Sequence, residues 1–371
     1  MRIWWVGFLR RRSATQRTRS ATRRPFLMKP LSRCLATLGL VSLPSLAQMA
    51  PNTLPRGAVV SAGAASLSQS GSLLTIDQAS SKAIIDWQSF SIGRDATVRF
   101  NQPSTSAIVL NRVGPAGGPS LIDGSLTAHG PVWLLNPGGT VFGANATVNV
   151  GGLLNSSLAL GNADFIAGKY SFSGGGGAIV NQGRLTATDG GYIALLAPQV
   201  RNEGVITARL GTVALASGQQ VRLDFNGDRL IEIQVDQAAV DGLIENRNLI
   251  QADGGWVLMS ARAAGELAGG AINVSGIVRA QSLVDHDGVI RLDAGQTLSS
   301  GTLDVSSAAG TGGTIQVLGQ QVGITAGTLD ASGARGGGSI LVGGGFQGQS
   351  VGPANAQFSY VASDATLIFP S

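Results

Sequence analysis

The chain has 371 residues, enough for one large domain or two of ordinary size, and 54 of them are glycine. Only 13% are charged and the mean hydropathy is +0.22, which is typical of short, close-packed strands and leaves little room for long amphipathic helices. The net charge of +5 arises in residues 1–47, which contain ten Lys or Arg and no acid; the remainder has 16 basic and 21 acidic residues, a net charge of −5. This distribution argues against a nucleic-acid-binding surface on the folded part.

Residues 1–47 have the pattern of a secretory signal region. Met28 begins a short basic segment, an apolar run follows at 34–47, and small residues form a cleavage site that ends at Ala47. We predict translation from Met28 and cleavage after Ala47, with 1–27 as an upstream start that is not used. The alternative is an unusually long basic region that begins at the first residue.

The signal region also determines what the mature chain contains. Its apolar run is short and interrupted by Pro44, so it does not span a bilayer. Cleavage removes Cys34, the single cysteine, and the mature chain is therefore predicted to fold without disulfides. We identify no other transmembrane segment in the sequence.

A strand–turn–strand unit lies between residues 132 and 143. The segments 132–135 (VWLL) and 140–143 (TVFG) are rich in β-branched and aromatic residues, and the sequence Asn-Pro-Gly-Gly at 136–139 separates them. Its proline sets its own φ, its glycines tolerate φ > 0, and its asparagine can hydrogen-bond the backbone ahead of it. The pattern predicts two strands joined by a tight turn.

From residue 181 onward one phrase recurs, in which a polar turn with Gly leads a short strand and a further Gly leads a second strand. A β-type repeat of roughly 20–30 residues is typical of a solenoid, whose coils bury inward side chains against their neighbours. Alternate apolar residues, such as Leu185/Ala187 and Ile193/Leu195, are predicted to point inward, and corner Asn side chains to form a hydrogen-bonded ladder. A β-sandwich with Gly-rich loops is the alternative. The phrases open 21, 44, 28, 25 and 26 residues apart, at Gly183, Gly204, Asn248, Gly276, Gly301 and Gly327.

The segment 221–242 interrupts the repeat. Val221, Leu223 and Phe225 alternate with polar residues, Asn226-Gly227 is a type I′ turn signal, and a second alternating run follows. We predict a hairpin that projects from the solenoid and accounts for the 44-residue interval. Its charged residues are expected to form a solvated face, with a partner-contact surface as the alternative.

These features divide the chain into a signal region at 1–47, a solenoid domain at 48–260 with its hairpin at 221–242, and further coils at 261–371. The last segment, 359–371, has no amphipathic cap, although an open final coil exposes strand edges. We expect either that this tail folds over the last coil or that the sequence is a fragment of a longer protein, and we favour the fragment.

Residues with catalytic or metal-binding potential are sparse. His129 and His286 lack partners at metal-ligand spacing, and His286 between two aspartates is interpreted as part of a surface turn. The sequence contains no nucleophile-elbow, metalloprotease or P-loop motif. A secreted polysaccharide lyase or glycosidase is the enzymatic alternative, with Asp304 and Asp330 in successive coils as candidate carboxylates. Because they recur as a repeat element, we favour a corner role and expect neither catalysis nor a cofactor.

Several short motifs occur in order between residues 85 and 160: Asn101-Gln102-Pro103, an AIVLNRV run with Asn111 and Arg112, SLIDG at 120–124, Asn136-Pro137-Gly138-Gly139, and VNVGGL at 148–153. In this order they resemble the secretion domain of filamentous-haemagglutinin-type exoproteins, the haemagglutination activity domain exported by two-partner secretion. The likeness covers roughly residues 48–216. One departure is Gly138, where the family usually has Asn, so a role for that amide in recognition is in doubt. A second family motif, NPNL, has no counterpart.

The resemblance implies a fold, a partner and a set of site residues. The fold is all-β, a right-handed parallel β-helix with an amino-terminal cap and extra-helical hairpins. The implied partner is an outer-membrane β-barrel transporter whose periplasmic POTRA domains recognise the domain, which then crosses the pore extended and folds outside the cell. The resemblance also implies a secreted or surface-exposed adhesin, with host or matrix surface ligands as possible further partners; the charge distribution already argues against nucleic-acid partners. The motif residues Asn101 to Pro103, Asn111, Arg112 and Asn136 to Gly139 are the implied secretion site.

Overall fold

The computed structural model describes residues 49–225, 231–263, 269–345 and 354–369. The predicted signal region lies outside these ranges. Within them the chain forms 33 strands, one α-helix, α1 (Asn162–Ala167), and one 3₁₀ turn (Pro115–Gly117). No helix of this described part has the length and apolar character needed to cross a membrane.

Successive coils pass through three faces, A, B and C, and parallel pairing joins each strand to its counterpart in the next coil. Face A contains β7 (Ser120–Ile122), β10 (Thr140–Phe142), β14 (Ile179–Asn181), β17 (Gln199–Asn202), β22 (Leu243–Asn246), β25 (Ala271–Val274) and β32 (Phe358–Val361). Face B contains β3 (Leu73–Gln78), β5 (Thr97–Asn101), β8 (Ser125–Ala128), β11 (Thr147–Val150), β15 (Arg184–Ala187), β18 (Val205–Thr207), β23 (Leu249–Gln251), β26 (Ile277–Arg279), β28 (Thr302–Asp304), β30 (Thr328–Asp330) and β33 (Thr366–Ile368). Face C contains β4 (Lys82–Trp87), β6 (Ile108–Val113), β9 (Pro131–Leu135), β12 (Gly152–Ser156), β16 (Tyr192–Leu196), β19 (Thr212–Ala216), β24 (Trp256–Ser260) and β31 (Ser339–Val342).

Two long strands, β27 (Val289–Ser299) and β29 (Thr314–Ile324), run from face C through the corner into face A. They join these two faces into one 18-stranded sheet, while face B belongs to a separate 12-stranded sheet. At the amino end, β1 (Val59–Ala62) and β2 (Ala65–Ser70) pair antiparallel with β4 and β3 and cap the first coil. The predicted right-handed parallel β-helix with an amino-terminal cap is confirmed.

The repeat seen in the sequence corresponds to the coils. Each phrase opens directly before a strand of face B, from β15 through β30. Val205 pairs with Leu249, so the 44-residue interval is a single coil that contains an insertion. The inward positions predicted from alternation, Leu185/Ala187 and Ile193/Leu195, are buried in the core between the faces.

The predicted asparagine ladder is present at the corner between faces A and B. Asn181 donates its Nδ2 to Oδ1 of Asn202 at 2.8 Å, and Asn202 donates in the same way to Asn246 at 2.8 Å. All three side chains are fully buried. Each amide thus satisfies the next, which keeps polar groups in the interior without an unpaired donor.

Glycine columns at the corners set how closely the coils approach. A Cβ at Gly204 would overlap the carbonyl oxygen of Gly183, and one at Gly211 would overlap that of Gly191. The same close approach recurs at Gly191, Gly255, Gly301, Gly313, Gly327 and Gly338, each against the backbone of the preceding coil. Much of the unusual glycine content therefore keeps neighbouring coils at β-sheet spacing where the chain turns.

The described part of the tail does not fold over the last coil, which was one of the two alternatives considered for it, but continues the coil. β32 and β33 pair in parallel with β29 and β30, so this part of the segment 359–371 adds strands to faces A and B. Parallel pairing also continues across the proposed boundary at residue 260, where β24 joins β27. The division into 48–260 and 261–371 stays a prediction.

The hairpin lies outside the β-helix but does not project from it. β20 (Gln220–Phe225) and β21 (Ile231–Gln237) pair antiparallel, and β13 (Tyr170–Ser173) adds a third strand beside β20. With α1, these strands form an outer layer over face C. The apolar side of the hairpin packs there, while Arg222 and Asp224 face solvent as predicted. The predicted Asn226-Gly227 turn lies outside the described residues.

A second hydrophobic core fills the space between the outer layer and face C. It contains Trp133, whose indole lies 5.4 Å from the ring of Phe165 and 6.0 Å from that of Phe225. The Trp133 Nε1 donates to the hydroxyl of Tyr192 at 2.7 Å. Burial raises the pKa of Tyr192 above the usual range of a phenol. The outward side chains of face C are therefore core residues wherever the outer layer covers them.

We predict that replacing Gly211 with Ala lowers the free energy of unfolding by about 1–3 kcal/mol, because the added methyl overpacks the corner against the Gly191 carbonyl. Urea denaturation followed by circular dichroism measures this change. Gly176→Ala is the control, since a Cβ there meets no atom within 4 Å. Equal stabilities of the two variants would contradict the close-approach explanation.

We also predict a loss of stability in alkali that depends on Tyr192. The folded state holds its phenol neutral, whereas in the unfolded chain it ionises near pH 10. This contribution is full below about pH 10 and declines as pH rises further. The measurement is the difference in tyrosinate absorbance between the wild type and Tyr192→Phe during alkaline titration. This difference should appear only when the wild type unfolds. Ionisation of Tyr192 in a chain that keeps its native circular dichroism would refute the assignment.

Candidate functional site

Three of the sequence-predicted motif residues, Gln102, Asn111 and Asn136, form hydrogen bonds at the start, the middle and the end of one strand, β9. Gln102 lies at the start of the loop after β5, where its Nε2 donates to the carbonyl oxygens of Ala107 (2.6 Å) and Pro131 (3.1 Å). Its Oε1 accepts from the backbone N–H of Gly130 at 2.8 Å. One amide thus closes its own loop and fixes the point at which β9 begins. Pro103 beside it is exposed.

Asn111 holds the middle of the same strand from inside the β-helix. Its side chain is fully buried, its Oδ1 accepts from the Trp87 Nε1 at 3.0 Å, and its Nδ2 donates to the carbonyl oxygen of Trp133 at 3.2 Å. A buried amide with both ends paired fixes the relative positions of three successive coils.

Asn136 holds the end of β9. It is 1% exposed; its Nδ2 donates to the carbonyl oxygen of Gly118 at 2.9 Å and to Ser120 Oγ at 2.8 Å. Its Oδ1 accepts from the Gly138 N–H at 2.8 Å, as predicted for the turn. The folded protein therefore uses every polar atom of this side chain internally and presents none of them to a partner.

At the remaining turn positions, backbone conformation and the closeness of the neighbouring coil determine which residue types fit. Gly139 has φ of 88°, which favours glycine, and its N–H donates to the Asn136 carbonyl at 2.9 Å. A Cβ at Gly138 would lie 2.8 Å from the carbonyl carbon of Gly118. Glycine therefore suits this position, where the family usually has Asn, because the backbone of the preceding coil leaves no room for a side chain. Pro137 and Gly138 form the accessible side of this turn.

The last two motif residues lie on the outside. Arg112 donates its Nε to Asp86 Oδ1 at 2.8 Å and its Nη1 to Asn162 Oδ1 at 2.6 Å, so it ties face C to the first residue of α1. Asn101 is exposed and donates to Asp77 Oδ1 at 2.7 Å across face B. Neither side chain hydrogen-bonds around β9, although the backbone of Arg112 is the register partner of Leu135 on that strand.

Motif reasoning missed the aromatic residues on the outward side of face C. Lys82 donates its Nζ to the carbonyl oxygens of Phe165 (2.8 Å) and Ile166 (3.0 Å) at the end of α1, and desolvation lowers its pKa. The signal was present in the sequence: β9, β16 and β19 read as uninterrupted apolar runs and are buried throughout. Runs of this kind indicate strands covered on both faces.

The carboxylates of the enzymatic alternative serve the corners. Asp304 and Asp330 are register partners on face B; Asp304 Oδ1 accepts from the Ser306 N–H at 2.9 Å, and Asp330 Oδ1 from the Ser332 N–H at 2.8 Å. The predicted corner role is confirmed. His286 lies in an exposed turn, also as predicted. Among the described residues no cluster of three His, Cys, Asp or Glu could hold a metal.

Two cavities border the outer layer. One of about 360 Å³ lies between the turn 188–191 and the rings of Tyr170, Tyr192 and Phe225. The other, about 650 Å³, is a groove between β21 and the outward side of β24 and β27. Neither is lined by Asp304 or Asp330, and the carbohydrate-active alternative is not favoured.

Comparison with solved structures places this fold beside a known secretion domain. The chain superposes on the crystal structure of the HMW1 secretion domain from Haemophilus influenzae with a TM-score of 0.77 and 27% sequence identity. The alignment covers 85% of this chain and 84% of that one.

Two curated relatives are heme/hemopexin-binding proteins of Haemophilus influenzae. One, from strain KW20 Rd, is 34% identical over 210 residues, which are 54% of this chain and 23% of that protein. The other is 43% identical over 100 residues, 27% of this chain and 11% of that protein. The chain thus aligns with less than a quarter of the length of either relative.

The family profile described as the TPS secretion domain matches residues 52–317. Family membership implies an exoprotein that crosses the outer membrane with a cognate transporter. The structural and sequence comparisons agree with the motifs that converge on β9. The chain belongs to the two-partner secretion domain family.

Proposed function

We propose that this β-helix is the part of a secreted exoprotein that the periplasmic POTRA domains of a cognate outer-membrane transporter recognise. A signal region cleaved after Ala47 would deliver the chain to the periplasm. The observation that carries the proposal is the burial of Asn136, which is 1% exposed with its polar atoms paired. A side chain in that position contacts a transporter only before the chain folds, so recognition acts on the extended chain.

Folding then follows export. Gln102, Asn111 and Asn136 each form hydrogen bonds to β9 or to the coils beside it, so the same amides that are accessible in the extended chain become internal ties. The amino-terminal cap covers the first coil and gives later coils a template on which to add. In this proposal, recognition comes first, in the periplasm, and folding follows outside the cell.

We predict that Asn136→Ala weakens binding of the unfolded chain to isolated POTRA domains about tenfold or more, because the motif loses its side-chain amide. The chain is held in urea at a concentration just above its unfolding transition, and binding is measured by fluorescence anisotropy. Export is measured in parallel as the ratio of extracellular to periplasmic protein in cells that express the cognate transporter.

Asn202→Ala is the matched control, since it removes an equally buried amide that lies outside the motifs. It should impair folding to a similar degree and leave POTRA binding unchanged. If both variants bind the POTRA domains like the wild type while both lose export, Asn136 acts through the fold alone, and its role in direct recognition is refuted.

For the task of the exoprotein outside the cell we propose a surface role of the adhesin type. The stack of parallel coils supports it, because its outward faces offer an extended surface for contact. A second candidate is capture of haem or of a haem carrier, which is favoured by the names of the two curated relatives. His129 and His286 are both exposed on the described part, and neither lies in a cavity lined for a ligand of that size.

We predict that the purified chain shows no saturable shift of the haem Soret band when titrated with haemin, because its two histidines are single and solvated. It is expected to bind haemopexin weakly or not at all in a surface-plasmon-resonance assay. Saturable haemin binding that His286→Ala abolishes would overturn this expectation and place haem capture within this part of the exoprotein.

A further inference from the structure

The outer layer connects parts of the chain that the solenoid keeps apart. Its strands come from two insertions, one with α1 and β13 and the other with β20 and β21. Together they cover outward side chains of six face C strands, including Ile84 on β4, Leu110 on β6 and Trp133 on β9. Each of these three side chains is 0% exposed, although a bare β-helix would leave it in water.

The sheet of the outer layer is completed late in the chain. β13 lies at one edge of the three-stranded sheet and has β20 as its neighbour, with β21 at the other edge. Phe225, at the end of β20, stacks over Trp133 and contacts Tyr192 with ring centroids 5.1 Å apart. The cover of the early coils is thus incomplete until residues near 225–237 are in place.

A simple solenoid behaves differently. Its coils contact only their neighbours, so a local change affects adjacent coils and leaves distant ones unchanged. The last coils fit that description, because the outward side of face C is open there: Arg291 is exposed, and the register partners Gln316 and Leu341 are only half-buried. The early coils, which the outer layer covers, and the last coils, which it leaves open, should therefore differ in how far a local loss of stability spreads.

We propose that the outer layer is a clasp that joins the coils from β4 to β19 into one cooperative unit and closes only when β20 and β21 pair with β13. Opening the clasp uncovers the second hydrophobic core along the whole of this unit. The coils that carry β28, β30 and β33 lie beyond the clasp and open independently of it. This inference concerns the folded chain and does not depend on the transporter.

The test is hydrogen–deuterium exchange on the purified full chain. Val235 on β21 is 2% exposed and packs into the second core, so Val235→Asp should open the clasp. We expect amides of β6 and β9 to exchange about tenfold faster or more, the change that 1.4 kcal/mol of lost stability gives. Amides of β28 and β30 should keep their rates, although neither strand is farther from residue 235 in the sequence than β6 or β9 is.

Gln234→Asp is the control, because it adds the same charge at a neighbouring residue that faces solvent. Faster exchange confined to β19, β20, β21 and β24 in the Val235 variant would overturn the proposal, since the chain would then behave as a simple solenoid. If Val235→Asp does not fold, Val235→Ala is the milder variant, because it leaves a small cavity and adds no charge. Its exchange rates are compared between the same strands.

A second variant tests the clasp by holding it closed with a disulfide. Ser171 and Arg222 are exposed register partners on β13 and β20, and Cys34, the single cysteine of the sequence, is replaced with Ser in this variant. Replacing both with Cys and oxidising the pair with oxidised glutathione, which is itself reduced to two thiols, should slow exchange in β6 and β9 relative to the reduced form. Unchanged rates in those strands after oxidation would equally refute the clasp.

Discussion

Every coil of this protein must repeat the backbone path of the coil before it, and the corners are where that requirement is strictest. The carbonyl oxygen of one corner residue occupies the place that a Cβ of the next would need, as at Gly191 and Gly211. Only hydrogen fits there, so glycine columns fix the spacing and the register together. The faces between the corners then pair without further adjustment, and inward side chains meet their counterparts at sheet spacing.

Register in turn allows polar groups inside the core. An asparagine at one corner can satisfy the asparagine of the next coil only if both occupy the same place in their coils, as Asn181, Asn202 and Asn246 do. This is why the repeat could be predicted from the sequence. Phrase openings, inward alternation and corner amides are local patterns with a constant period, and the fold places each at the same position in every coil.

The outer layer could not be predicted in the same way, because its information is not periodic. The alternation in 221–235 indicates a hairpin with one solvated face but not the surface on which its apolar side lies, and the interpretation that it projects from the solenoid was wrong. The uninterrupted apolar runs of β9 and β16 indicate strands covered on both sides. They do not reveal that the cover comes from 170–173 and 220–237, since pairing between such distant segments leaves no mark on either one alone.

The role of the motif residues in secretion stays a prediction, and the burial of Asn111 and Asn136 was not foreseen. A conspicuous turn suggests an exposed signal, yet Asn136 is internal and the accessible part of the turn is Pro137 and Gly138. The two properties are compatible if they belong to different states of the chain. An extended chain offers every side chain for recognition, and a β-helix that forms afterwards can withdraw the same amides into its core. Under the proposed mechanism, using one residue twice would tie export to foldability, because a chain that lacks the amide would lose the hydrogen bonds around the end of β9 as well as the recognition signal.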